Sequence, residues 1–316
     1  MTSMDCLSVS VVIPTYNDQA TLVRAVRSAL QFDWIRQVIV VDDGSNPPAR
    51  EAMACVQDKS RIQLIEQPNS GVSVARNRGM EASTTDHVIL LDADDALRPE
   101  IVVTLSVALT TAAPLTVAGR RCVLPDGSAH FRLPSEQWMT HGYYGFVPKP
   151  ADVFRLRPIL VFATSGMILS RSAITSGLRF DPLIRHGQDI EFARRAADLG
   201  RIAVCHVAAI DYIEKSDGMN LSGVRHMNRS ASDFLRILEL HFSPEDIDVW
   251  RDFAAWRIKR YSKYGTDASM WQAMVAALES RNLYIPRKAR IRWKLRRLKS
   301  ACFAPIRALF LGNAEK

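Results

Sequence analysis

No Gly-x-Gly-x-x-Gly follows the first apolar run of this chain, and no Gly-x-x-x-x-Gly-Lys-Ser/Thr occurs anywhere. These absences exclude the ordinary dinucleotide fingerprint and the P-loop. The five cysteines, Cys6, Cys55, Cys122, Cys205 and Cys302, are scattered and odd in number. They form no zinc or disulfide spacing and suit a reducing compartment. Ile101 to Gly119 carries no charge, but its threonines and Pro114 predict a helix followed by a strand rather than a membrane span. The amino terminus has neither a basic region nor an apolar signal core, so no export signal is expected. No internal repeat or low-complexity tract is present. Acidic residues are wholly missing from Arg281 to Phe310, a stretch with ten Lys or Arg.

What is present alternates strand and helix. Val9-Ser10-Val11-Val12-Ile13 is a β-branched run that stops at Pro14-Thr15-Tyr16-Asn17, and Asp18 to Leu30 has apolar residues at helical spacing. Gln37 to Val41 and Arg61 to Ile65 are further buried strands. Gly71 to Gly79 leads a helix toward a fourth strand, His87 to Leu91. Polar residues collect at the carboxyl ends of the strands. This is the pattern of an α/β fold with a doubly wound, mostly parallel sheet and a nucleotide-sized crevice. The length of 316 residues allows one large core and a smaller appendage.

Leu91-Asp92-Ala93-Asp94-Asp95 places three carboxylates at the end of a buried strand. So much negative charge needs a neutraliser. Where ligands bind an open α/β sheet, a hard divalent cation bridging to a diphosphate fits the need. The plainer alternative is a solvated acidic turn capping the helix that starts near Pro99.

Four motifs, in order, resemble the family 2 glycosyltransferases, inverting enzymes of GT-A fold. They are Ser10 through Asn17, Val40-Val41-Asp42-Asp43-Gly44-Ser45, Gly71 through Gly79, and Leu91 through Asp95. The resemblance covers roughly residues 7 to 215. It implies that Pro14, Thr15 and Tyr16 line the base and ribose pocket. Asp43 would accept a hydrogen bond from a uracil ring N–H, while Asp42 serves as a cap or Asx-turn. Arg76 would lie near the base or diphosphate, an exposed helix arginine being the alternative. Asp92 would reach the ribose hydroxyls or metal-bound water, Asp94 would coordinate Mn²⁺ or Mg²⁺, and Asp95 would either join it at the metal or cap the next helix. Asp189, in Gln188-Asp189, stands where the family has its general base. Gln188 replaces the family's usual acid, so the second carboxylate of that pair is missing; Glu191 is the next candidate base.

Between these clusters, Pro125-Asp126-Gly127-Ser128 is a hairpin signal. Pro134 to Asp152, rich in Gly, Pro and aromatics, reads as an acceptor-side loop whose rings either stack on sugars or anchor the loop. Ala163 to Met167 resembles the family's small-residue strand beside the donor sugar. His206 follows the strand Arg201 to Cys205 and either joins the metal or is an ordinary histidine. Ser216 to Ser222 is a candidate lid.

Without Arg281 to Phe310 the chain has 31 basic (41 − 10) and 33 acidic residues, so the +8 charge belongs to that segment. Ile291, Leu295, Leu298 and Cys302 form one helical stripe, with Trp293 off it and cations around. Such a helix suits an anionic membrane surface; Ile306 to Leu311 would add a second anchor, and a helix packed on the protein is the alternative. The expected organisation is a catalytic domain over 1–224, a helical extension over 225–284 and a basic amphipathic tail over 285–316, with a chain ending near Tyr284 still folding. No nucleic-acid motif accompanies the charge. The expected activity is metal-dependent single displacement of one sugar from a UDP-sugar to a lipid-linked or growing glycan. It would take place in the cytoplasm, on the inner face of the membrane. Processive members carry membrane spans and Gln-x-x-Arg-Trp, neither of which is seen. The alternatives are a nucleotidyltransferase on a related sheet and a catalytically silent nucleotide-sugar-binding module.

Overall fold

Val9–Thr15 forms the first strand, β1, and all of its residues are buried. A strand covered on both faces needs apolar, β-branched side chains throughout, as parallel sheets do. The computed structural model describes residues 8–156, 163–214 and 227–296. Two compact units divide the chain, residues 1–220 and 221–316. No helix among the described residues is long and apolar enough to cross a membrane.

In the first unit, β1 is followed by α1 (Gln19–Leu30), β2 (Ile35–Asp42), α2 (Ala49–Ala52), β3 (Ile62–Glu66), α3 (Val72–Ala82), β4 (His87–Leu90) and β5 (Ala96–Leu97). Then come α4 (Ile101–Thr111), β6 (Leu115–Val123), β7 (Ala129–Arg132), β8 (Tyr144–Phe146), α5 (Val153–Leu156), β9 (Ile168–Ser170), α6 (Arg171–Thr175), α7 (Gln188–Leu199) and β10 (Ala203–Ile213). One sheet runs β3-β2-β1-β4-β9-β6-β10-β5, with β7 on β6 and β8 on β10. The β3-β2-β1-β4 half is parallel, and so is the β6–β10 pair. Strand β9 runs antiparallel to both of its neighbours. Leu22, Ala25, Val26 and Ala29 of α1 pack with Val9, Val11 and Ile13 in the core.

The helix from Ile101 and the strand after Pro114 form as the sequence predicts, and β6 and β7 close the hairpin at Pro125–Ser128. Two strands differ from expectation. Ser165 and Gly166 lie in a turn rather than a strand, and the strand itself is Ile168–Ser170. Strand β10 continues past Cys205 to Ile213, so His206 lies within it. The lid expected at Ser216 to Ser222 lies outside the described residues.

Helix α3 crosses the sheet at Gly79. A Cβ there would overlap Val12 Cγ1 and meet Val41 Cγ2 at 3.2 Å. Gly79→Ala is therefore expected to overpack this contact and cost about 1–3 kcal/mol. Urea unfolding would show it as a lower midpoint at constant m-value; an unchanged midpoint would contradict the close approach.

The second unit contains α8 (Met227–His241), α9 (Ile247–Tyr264) and α10 (Ala268–Glu279), and residues 287–296 are also helical. Ser243 opens the turn before α9 by accepting a hydrogen bond from the Glu245 amide. Asp267 caps α10 by accepting from the Ser269 and Met270 amides. Trp293 is buried and stacks on Trp271 at 4.9 Å, with Tyr261 at 5.6 Å. Ile291 and Leu295 are 45% and 55% exposed. The residue expected to lie off the apolar stripe thus packs, and the described members of the stripe face out. A chain cut at Tyr284 would lose the Trp293 stack as well as the cations. Leu298, Cys302 and Ile306 to Leu311 lie outside the described residues.

Candidate functional site

Strands β2, β1 and β4 are adjacent, so the loops leaving their carboxyl ends converge. The two aspartates after β2 separate by role. Asp42 Oδ1 and Oδ2 accept from the Ser45 and Ala49 amides at 2.9 and 2.7 Å, as a structural cap does. Asp43, also buried, accepts from Gln67 Nε2 and from the Ser70 and Gly71 amides at 2.7, 2.8 and 2.8 Å. Three bonds on a carboxylate with about four acceptor directions leave one for a ligand. Gly71 sits at φ +94° at the start of α3, a backbone that glycine tolerates best. Pro14 and Thr15 end β1 and are buried, whereas Tyr16, just beyond, is half exposed. Asn17 ties this loop to the β2 loop: its amide donates to Ser45 Oγ at 3.0 Å, and its Oδ1 accepts from the Asn46 amide at 2.8 Å.

Arg76 is not an exposed helix arginine. Its side chain is 4% exposed, and Nη2 donates to Asp92 Oδ1 at 2.6 Å. The guanidinium lies over the Phe180 ring, while Nε and Nη1 are buried without a partner among the described residues. Orphaned donors of a buried cation are costly, and their position beside Asp92 suits an anionic ligand. Phe180 is held by two hydrogen bonds between its backbone and the Asn77 side chain, and it stacks on Phe192 of α7 at 4.0 Å. This chain of contacts connects the helix of Arg76 to the helix of Asp189.

The acidic motif is partly buried. The Ser165 hydroxyl donates to Asp95 Oδ2 and accepts from the Asp92 amide at 3.0 Å. Asp95 is thus a buried carboxylate and, of its two expected roles, not the helix cap; the residue before α4 is Glu100, which makes no side-chain cap bond. Asp95 Oδ1 has no partner among the described residues. Burial first, and then the charges of Asp92 and Asp94, push the Asp95 carboxyl well above the usual carboxylate range, against smaller opposing effects of Ser165 and Arg120. The Asp94 carbonyl accepts from Arg24 Nη2 at 2.6 Å. Three oxygen-donor side chains, mutually repelling, one with an orphaned buried atom, fit a hard divalent cation.

Asp189 is half buried in the first turn of α7, and its Oδ1 accepts from the Ile190 amide at 2.9 Å. Glu191 is 1% exposed and paired with Arg195 at 2.6 Å, so it is turned into the protein. His206 is engaged through Nδ1 with the Pro134 carbonyl at 2.6 Å. In the aromatic loop, His141 stacks on Tyr144, Tyr144 meets Phe146 edge-on, and Arg201 lies over Phe146. These rings anchor the loop, and Tyr143 stays exposed.

Sequence reasoning placed Ser165 only as part of the Ala163 to Met167 stretch beside the donor sugar, and it missed Gln67 and Arg120. Arg120 is buried beside Asp95 and stacked on Tyr212 at 4.7 Å. The pair Arg120-Arg121 inside a strand with no other charge, Leu115–Val123, was the available signal. A second group that could hold a metal comprises Cys122, His130 and Glu214, whose ligand atoms lie within 4.8 Å of one another. Arg132 contacts both His130 Nε2 and Glu214, at 3.2 and 3.4 Å, and so already supplies positive charge there.

Similarity to known proteins bears on the family and the fold. The model of the family described as Glycosyl transferase family 2 matches residues 10–177. Over 98 residues the chain is 36% identical to the uncharacterized glycosyltransferase YibD of Escherichia coli K12, covering 30% of this chain and 28% of that one. Over 94 residues it is 37% identical to the succinoglycan biosynthesis protein ExoO of Rhizobium meliloti, covering 29% and 27%. The chain therefore spans less than a third of these relatives' length. Among solved structures, S. aureus TarS 1-349 in complex with UDP-GlcNAc superposes with a TM-score of 0.60 at 15% identity, covering 90% of this chain and 83% of that one. The same protein in complex with UDP gives 0.56 at 16%, covering 93% and 92%. At such identity the likeness is one of fold, and that fold is GT-A.

Proposed function

The chain belongs to Glycosyl transferase family 2, and from that premise we propose that it moves one sugar from a UDP-sugar to a hydroxyl of a lipid-linked or growing glycan, inverting the anomeric centre. The observation that carries this reading is the buried Arg76, with two orphaned donors, paired to Asp92 beside Asp94 and Asp95. A cation and an acid cluster side by side suit a diphosphate and its divalent ion, and the solved complexes of TarS with UDP and UDP-GlcNAc, on the same fold, support a nucleotide-sugar donor.

In this mechanism Pro14, Thr15 and Tyr16 hold the base and ribose, and the remaining acceptor direction of Asp43 takes the uracil N–H. Arg76 faces the diphosphate, and Asp92 orients the ribose hydroxyls. Asp94 would hold Mn²⁺ or Mg²⁺, with the open oxygen of Asp95 nearby. When bound, the ion supplies Lewis-acid neutralisation of the departing diphosphate. Asp189 takes the proton of the acceptor hydroxyl as it attacks, and the absence of a covalent intermediate makes this a single, inverting displacement. The basic carboxyl-terminal segment holds the enzyme on the inner, anionic face of the membrane, a reading supported by ten cations without an acid.

A thermal-shift panel of nucleotide sugars with Mn²⁺ tests the donor. At 100 times Kd the cognate donor is expected to stabilise by about 2.7 kcal/mol, with UDP-sugars shifting the melt and CDP- and GDP-sugars not. Incubation with acceptor should release a nucleoside diphosphate; pyrophosphate would instead identify a nucleotidyltransferase. No shift with any UDP-sugar would remove the donor assignment.

A further inference from the structure

Ala289 and Trp293, four residues apart, form the packed side of the helix at 287–296. Ile291 and Leu295 are displaced from them by two residues, which at 3.6 residues per turn is roughly 200°. They therefore project on the opposite side, away from the unit that the Trp293 stack grips. Arg287, Lys288, Arg290, Arg292 and Lys294 are all exposed around that apolar pair. The packing of Trp293 thus fixes which side of this helix can meet another surface.

At the amino-terminal end of the same helix lies an open groove of about 590 Å³. Its lining includes Arg251 from α9, Arg287 and Arg290 from the helix, and the exposed Tyr284. Glu279 also lines it and pairs with Arg290 at 2.5 Å. Arg251 pairs with the exposed Asp248 at 2.7 Å, and Arg287 has no acidic partner among the described residues. The lining therefore carries three guanidinium groups against one carboxylate. Guanidinium forks match the oxygens of a phosphate bidentately.

We propose that this groove takes the phosphomonoester headgroup of an anionic membrane lipid, with Ile291 and Leu295 entering the acyl boundary beside it. The inference rests on the membrane-peripheral reading above and gives it a specific partner. A lipid, rather than a free phosphate, is the occupant because the basic groove and the exposed apolar pair share one helix. A phosphate group between the forks and an acyl chain beside Ile291 are two parts of one ligand. Diffuse attraction to a charged surface would not distinguish one anionic headgroup from another, whereas a groove does.

The test is co-sedimentation of the full chain with vesicles of phosphatidylcholine alone, or containing phosphatidylserine or phosphatidic acid at matched surface charge. Wild type is expected to bind both anionic vesicles and to prefer phosphatidic acid about tenfold, as charge-assisted hydrogen bonds allow. Arg251→Gln and Arg287→Gln should each remove that preference and leave binding to phosphatidylserine within about twofold. Arg251 lies on α9, outside the basic tail, and is exposed, so its substitution spares the fold and most of the diffuse charge. Ile291→Ser with Leu295→Ser should weaken binding to both anionic vesicles, and millimolar inorganic phosphate should not release the protein. A wild type that binds anionic vesicles without headgroup preference, or variants that keep the preference, would overturn the groove and leave peripheral attachment standing. Release by free phosphate would also overturn it, as would failure of wild type to bind any anionic vesicle, which alone removes the membrane reading too.

Discussion

Asp94→Asn is expected to lower sugar transfer by about two powers of ten or more and to abolish the metal-dependent part of donor binding. A neutral amide cannot match a carboxylate toward a hard divalent ion, and several kcal/mol of leaving-group stabilisation, at 1.36 kcal/mol per tenfold, is a loss of that size. The same substitution should not destabilise the metal-free protein. Asp94 is one of two charges that, after burial, raise the Asp95 carboxyl, so its removal relieves repulsion in a buried cluster. A melting temperature equal to or above wild type without metal, together with lost Mn²⁺-dependent stabilisation by UDP-sugar, is the signature. Full activity of the variant, or of wild type in excess chelator, would exclude the metal role.

Asp189→Asn is expected to keep donor and metal binding and to lose ~10²–10⁴-fold in transfer, the usual contribution of a general base. The amide can still accept the Ile190 hydrogen bond that Asp189 Oδ1 accepts at 2.9 Å, so the start of α7 should stay intact. Unchanged thermal shifts with UDP-sugar and a collapsed transfer rate, measured on one preparation, would establish the role. Wild-type rates would mean that the base lies elsewhere. Glu191, the next acid in sequence, is a poor substitute: buried and gripped by Arg195, it is presented to the protein interior and not to an acceptor.

The parallel half of the sheet was legible because its central strands bury the β-branched runs Val11 to Ile13 and Val38 to Val41 without polar alternation. Short strands held by neighbours were less so. Ile168–Ser170 is a strand because it fits antiparallel between β4 and β6, a tertiary fact with no local period. The end of β10 was missed because His206 interrupts the apolar pattern, yet its Nδ1 meets the Pro134 carbonyl at 2.6 Å, and Asp211 beyond it is matched by Arg98 and Arg121 at 3.2 and 2.7 Å. At the site, the motif aspartates could be found by type and order. Their division of labour could not, since Asp42, Asp43 and Asp95 differ only in which amides and hydroxyls the loops bring to them. The basic helix shows the same limit. Its apolar residues lie on two opposite sides, and only the ring stack of Tyr261, Trp271 and Trp293 decides which side is inside.

Strand β10 carries two register shifts against β6, one between Cys205 and Ala208 and one between Ala208 and Ile210. Upstream of them Ala203 to Cys205 pair with β8, the strand that closes the aromatic loop, and downstream Ile210 and Asp211 pair with β5, just after the acidic motif. Bulges take up extra residues without passing a slip along the ladder. The two ends of one strand are thereby mechanically uncoupled, like the two sides of an expansion joint. A lineage can lengthen, shorten or exchange the segment from Pro134 to Phe146, and with it whatever that loop meets, while the alignment of Asp94 and Asp95 against their neighbours stays as it is. On the proposed reading, in which this loop faces the acceptor, new acceptors could then be explored while the proposed donor side stays unchanged.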